Sequence, residues 1–157
     1  YYIPAPTASN DTIRLDVDSD GDFEVALTIG TYYEFESSTY PEYNNHVVGK
    51  FIALDNTCDV LIMPATWPGL ALCDYGQQID VDTATWFYTG NYMVDPYLSS
   101  LFTFTGDKYF VFRQSHPQYG LRYGWIHVYK PDNYNVYVAE MGLRCNYNLQ
   151  TIVVGEH

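Results

Sequence analysis

Three runs between residues 107 and 144 constrain this chain most: "DKYFVFRQ" (107–114), "LRYGWIHVYK" (121–130) and "NVYVAEMGLR" (135–144). Apolar and polar side chains alternate along each, and the stretches between them are short and turn-forming, "SHPQYG" and "PDN". A period of two is the signature of a strand with one buried face. Consecutive runs joined by short turns pair antiparallel. The pattern therefore predicts one contiguous meander, with Phe110, Phe112, Ile126 and Val128 facing a common core. Gly124 falls inside the middle run, where a missing side chain marks a bulge or a close backbone approach that neighbouring Trp125 is placed to fill.

The rest of the chain reads the same way. Strands are expected over 12–17, 23–29, 47–54, 58–63, 85–88, 101–104 and 150–154, with turn chemistry in "NTCD", "TWPG" and "NYN". Residues 37–45 read as a mobile loop, and 96–102 as a single helical turn at most. With about nine or ten short strands and no long helical period, the fold class is all-β, an antiparallel β-sandwich of jelly-roll type. One domain spans 1–157, and its first eleven residues form an extended, Pro-rich lead-in.

The 19 acidic residues against 7 basic ones give a formal charge of −12, which disfavours nucleic acid and anionic membrane surfaces as partners. Cations, neutral polysaccharides and surface proteins stay admissible. No apolar run is long enough to span a bilayer as a helix. The chain opens at Tyr1 with no Met and no apolar leader core, so its numbering is expected to begin after a removed leader or at a trimmed boundary. Secretion or display at the cell surface is the expectation.

The densest chemistry lies in "IRLDVDSDGDFEV" (13–25), where Asp16, Asp18, Asp20, Asp22 and Glu24 alternate between two apolar runs. A three-residue loop, Ser19-Asp20-Gly21, sets Ile13 opposite Leu27, Leu15 opposite Val25 and Val17 opposite Phe23, all apolar. Gly21 then occupies the position that needs a positive φ. The same register opposes Asp18 to Asp22 and Asp16 to Glu24, and like charges facing each other destabilise a strand pair. Either water tolerates these carboxylates or a cation neutralises them. An EF-hand does not fit, because the twelfth position counted from Asp16 is Leu27 rather than Glu. A looser calcium site remains, with the five acids as candidate ligands.

Other candidates are less specific. Cys58 and Cys73 flank one stretch and are the expected disulfide, with Cys145 left over; three unbridged buried thiols are the alternative. His46, His116, His127 and His157 show no metal-ligand spacing. Asp55, Asp59, Asp74, Asp80, Asp82, Asp95, Asp107 and Glu140 supply more carboxylates than sequence can pair into a hydrolytic site. Trp67 in "TWPG" is the candidate for stacking on a sugar ring, whereas Trp86 and Trp125 read as core.

"LDVDSDGDFE" near the start, "GDKYFVFR" and "YGWIHV" later on, and "VVGEH" at the end together resemble a group of uncharacterised secreted β-sandwich proteins of Bacteroidetes-type bacteria. The likeness covers the first 30 residues and about the last 50, and Glu24 follows Phe23 where the pattern ends in Asp-Phe. It implies an exported β-sandwich associated with calcium or surface-glycan systems, and it carries no catalytic residues. The expected function is a non-catalytic binding module for glycan or a protein partner. A structural or adhesive domain and a carbohydrate-active hydrolase are the alternatives.

Overall fold

The computed structural model describes residues 2–3, 11–35, 43–54, 57–63, 69–87, 104–132, 136–144 and 150–156. Among them there is no helix. The strands are β1 (Tyr2–Ile3), β2 (Asp11–Leu15), β3 (Val25–Phe35), β4 (Tyr43–Ala53), β5 (Cys58–Met63), β6 (Gly69–Leu70), β7 (Gln78–Asp80), β8 (Thr85–Phe87), β9 (Gly106–His116), β10 (Gly120–Lys130), β11 (Val136–Arg144) and β12 (Thr151–Val153). They form three antiparallel sheets: β1-β11-β10-β9-β5-β6 with β8 also on β5, a sheet β2-β3-β4, and a ribbon β12-β7. The all-β, antiparallel architecture is as expected; jelly-roll connectivity is finer than these sheet orders define. No helix of the described residues is long and apolar enough to cross a membrane.

The meander is the centre of the main sheet. β9 and β10 pair without a break from Gly106↔Lys130 to His116↔Gly120. Side chains of even number on these strands face one way: Phe110, Phe112, Ile126 and Val128 join Val60 and Val138, and pack against Leu15, Val17, Val25 and Leu27 of the β2–β3 hairpin. Odd-numbered ones face the other way: Tyr109, Val111, Tyr123 and Trp125 pack under Ile79, Val81, Ile152 and Val154 around the small ribbon. The main sheet is thus covered on both faces, and its interior strands carry apolar residues in both frames.

Two local devices shape this sheet. At Gly124 a Cβ would meet the Phe112 ring and come within 2.6 Å of the Gly142 carbonyl oxygen, so glycine is required by close approach. Phe112 therefore fills the space expected for Trp125, which lies instead on Gly142 of β11. Between His127 and Val128 the β10–β11 register shifts by one residue. Ala139 is the extra residue of this bulge. Beyond it Val138 faces the core and Tyr137 comes beside Tyr129 on the opposite face.

The expected Cys58–Cys73 disulfide is not formed. Cys58 pairs with Gln114 and Cys73 with Tyr109, on the same edge of β9. Five residues of strand put them about 16 Å apart along the sheet, far beyond the span of a disulfide. Five is also odd, so the two thiols belong to opposite cores. Burial pushes the Cys73 thiol up to about 11, which keeps it unreactive. Trp67 and Cys145 lie outside the described residues, as do 36–42 and 96–102.

Replacing Ile126 with Asp should cost more than about 4 kcal/mol by burying an unpaired charge between the two hydrophobic layers. A denaturant titration should then show no cooperative native baseline. Gly124→Ala should lower stability by about 1–3 kcal/mol through overpacking, because the Gly142 carbonyl cannot rotate away as a side chain would.

Candidate metal centre

The β2–β3 ladder has the register expected from the apolar faces, Ile13↔Leu27 and Leu15↔Val25. It stops there. Residues 16–24 form the connection, with Ser19 at φ 63° and Gly21 at φ 102°. The expected next rung, Val17 opposite Phe23, does not form. Phe23 is 50% exposed and Glu24 only 4%. The cause lies in the Glu24 side chain, whose Oε2 accepts the Val17 N–H at 2.9 Å and satisfies a buried donor the ladder leaves open. Glu24 turns inward to do this, and Phe23 is carried outward.

The turn winds around its own acids. Asp16 accepts the Asp20 N–H at 3.2 Å on one oxygen and the Gly21 N–H at 3.0 Å on the other. Asp20 accepts the Asp22 N–H at 2.9 Å. Asp22 itself is exposed. One carboxylate oxygen from each of Asp16, Asp18, Asp20 and Glu24 lies within 4.8 Å of all the others. Four of the five expected ligands are brought together, and Asp22 is left outside the set.

Asp18 distinguishes this cluster from an ordinary acidic turn. Its side chain is 6% exposed, in an ion pair with the 5%-exposed Arg122 of β10. Asp18 Oδ2 accepts from Arg122 Nη2 and from Gln114 Nε2 at 3.4 Å, and Arg122 Nη2 also donates to Gln114 Oε1 at 2.6 Å. The other oxygen, Asp18 Oδ1, is buried and has no hydrogen-bond partner among the described residues. Burial pushes the Asp18 carboxyl up, but the Arg122 guanidinium and the Gln114 amide outweigh it and hold it below its ordinary value. It is therefore an anion with one oxygen unspent. Burial pushes Glu24 the other way, above its ordinary value, and the charges of Asp18 and Asp20 add to that shift.

Arg122 and Gln114 were not among the residues expected here, yet their positions carry a signal. Both fall in the even-numbered frame, in line with Phe110, Phe112 and Ile126. A charged residue on an otherwise apolar face needs a buried partner, and an acid is the chemistry that partner must have. Of the remaining expected candidates, Asp55 and Asp95 lie outside the described residues, and others are placed elsewhere. Asp59 pairs with Arg113 at 2.7 Å and Asp74 with Lys108. Asp107 meets His127 at 2.7 Å on the opposite face of the main sheet.

Arg122→Met should be destabilising by about 3–5 kcal/mol in a chelating buffer, because it strands the buried Asp18 carboxylate. A drop of more than about 6 °C in the thermal midpoint would register it. Glu24→Gln should act oppositely. A carboxyl whose folded value is raised is stabilising below its ordinary 4.5, and that contribution is lost as pH rises through the higher folded value. Glutamine keeps an oxygen for the Val17 N–H without the charge. In chelator, the variant's midpoint should therefore pull ahead of the parent's as pH is raised from 4.5 to 7.

No protein-family model, curated protein or solved structure matches this chain.

Proposed function

We propose that this chain is a secreted or cell-surface binding module whose β2–β3 connection holds a calcium ion through Asp16, Asp18, Asp20 and Glu24. The buried, unpartnered Asp18 Oδ1 carries the proposal. A buried carboxylate oxygen without a donor is costly, and a cation in the same cluster would satisfy it. The spacing supports calcium in particular. Oxygens bound at about 2.3–2.6 Å from one ion lie at most about 4.6–5.2 Å from each other, and the four here fall within 4.8 Å. Magnesium, at about 2.0–2.1 Å, requires a tighter shell. Three unbalanced negative charges remain after Arg122 neutralises one, so a divalent ion also relieves the repulsion that raises Glu24.

The reading extends from ion to role. Sites of this kind in extracellular modules bind calcium at about 10⁻⁴ to 10⁻³ M and act as structural staples. Here the staple would fasten the small sheet to the main one, because Asp18 is shared between the loop and Arg122. The likeness of "LDVDSDGDFE" and "YGWIHV" to exported bacterial β-sandwich proteins supports the same compartment. On this reading, the fold presents a surface for a polysaccharide or a surface protein.

Ten-millimolar calcium should stabilise the domain by about 1.4–2.7 kcal/mol for dissociation constants in that range. For a domain of this size that is a rise of roughly 3–10 °C in thermal midpoint over chelator. The double variant Asp18→Asn, Asp20→Asn should show no rise. An unchanged parental midpoint would reject the ion and leave the loop as a hydrogen-bonded turn.

A further inference from the structure

Among the described residues, the β7–β12 ribbon covers only part of the face of the main sheet opposite the acidic loop. The side chains of this face form rows across β9, β10 and β11, odd-numbered on β9 and β10 and, from Glu140 to Arg144, even-numbered on β11. Val111, Trp125 and Gly142 make one row, and Arg113, Tyr123 and Arg144 the next. The second core takes in Val111, Tyr123 and Trp125, and closes with Tyr109. Two more rows continue past that core: Tyr109, His127 and Glu140, then Asp107, Tyr129 and Tyr137. Asp107, His127, Tyr129 and Tyr137 of these rows line an open groove of about 770 Å³, together with Pro131, Val138 and Ala139. That volume is in the range of small-ligand sites.

We infer that this groove binds a neutral oligosaccharide, with the rings of Tyr129 and Tyr137 as its floor and the Asp107–His127 pair as its polar end. The inference rests on reading the chain as a binding module and names what the module takes. Tyr129 is 39% exposed although it sits in register between two strands of the central meander. Its ring lies 6.2 Å from that of Tyr137, tilted by 35°. Two rings side by side on neighbouring strands, so little inclined, make a shallow platform. That suits the flat apolar face of a pyranose, since aromatic rings pair with extended apolar surface.

The polar end is ordered in advance. His127 Nε2 meets Asp107 Oδ1 at 2.7 Å. The imidazole also lies flat against Tyr109, 4.6 Å between centroids and 11° between planes. Stacking on one side and the hydrogen bond to Asp107 on the other fix the ring, so little orientation is lost on binding. In the neutral ring with Nε2–H donated to Asp107, His127 Nδ1 is an acceptor, and Asp107 Oδ2 is another. Neither has a further partner among the described residues. Two fixed acceptors beside an aromatic floor match the hydroxyl rim and apolar face of a sugar. Asp107 and Glu140 in these rows, on a chain of charge −12, repel an anionic polysaccharide.

Affinity electrophoresis in native gels tests this, with xyloglucan, mixed-linkage β-glucan, galactomannan and a soluble α-glucan as neutral probes and polygalacturonate as the anionic one. Each gel is run with calcium and with chelator. The expected result is retardation by at least one neutral probe. That binding should weaken at least tenfold in Tyr129→Ala and in Asp107→Ala, both with parental thermal midpoints. Phe87→Ala, which removes an exposed aromatic on β8, should leave it unchanged. Retardation by no neutral probe, or by polygalacturonate alone, overturns the inference. Retardation that survives both groove variants also overturns it, while keeping the binding module. The calcium-dependent midpoint is read separately, so failure of the groove and failure of the metal site are told apart.

Discussion

The unbroken ladder between β9 and β10 is the constraint from which the rest of the structure hangs. Both strands are interior: β11 flanks β10 from Tyr123 to Tyr129, and β5 flanks β9 from Phe112 to Gln114. Strict alternation then sorts their side chains into two frames. The even frame meets the β2–β3 hairpin, and the odd frame meets the β7–β12 ribbon before running out into the open groove. β10 serves both candidate sites from opposite faces: Arg122 reaches the acidic loop, and His127 and Tyr129 floor the groove.

This division explains what could be read from the residues and what could not. The meander and the β2–β3 register were legible because burial of one face imposes a period of two, and only one register matches Ile13 to Leu27 and Leu15 to Val25. The ribbon β7–β12 was half missed, since three residues are too few to show a period. The inward turn of Glu24 was missed because a lone backbone donor at Val17 outweighed the apolar match with Phe23. Asp18 and Arg122 are 104 residues apart, and no local pattern joins them. The disulfide failed on a question of parity: proximity in sequence says nothing about which face of a sheet a thiol occupies.

The acidic loop sets one buried cation against several carboxylates. Backbone N–H groups of Val17, Asp20, Gly21 and Asp22 carry part of the negative charge, as they do in anion-binding turns. The arrangement is costly where it is deepest, at Asp18 and Arg122, each of which keeps one buried polar atom without a partner. Buried ion pairs of this sort add little stability beyond an apolar pair of the same volume. What this one does provide is a fixed docking angle between two sheets that otherwise meet through interchangeable apolar side chains.

The bulge at Ala139 has a further meaning when β11 is considered as a tape. On the C-terminal side of Ala139 the even-numbered residues Glu140, Gly142 and Arg144 share the face of His127 and Trp125; on the N-terminal side it is odd-numbered Tyr137 that lies there. The single extra residue is a phase change in how the strand is read. Drawing Ala139 into the ladder opposite Val128 would restore a uniform phase at full length, turn Val138 out of the core and draw Tyr137 in. The looped-out residue, more than any one side chain's identity, is therefore what keeps Tyr137 on the groove face of the strand as it stands. Deleting Ala139 would leave both phases where they are, whereas straightening the bulge with Ala139 retained exchanges the groove for the core.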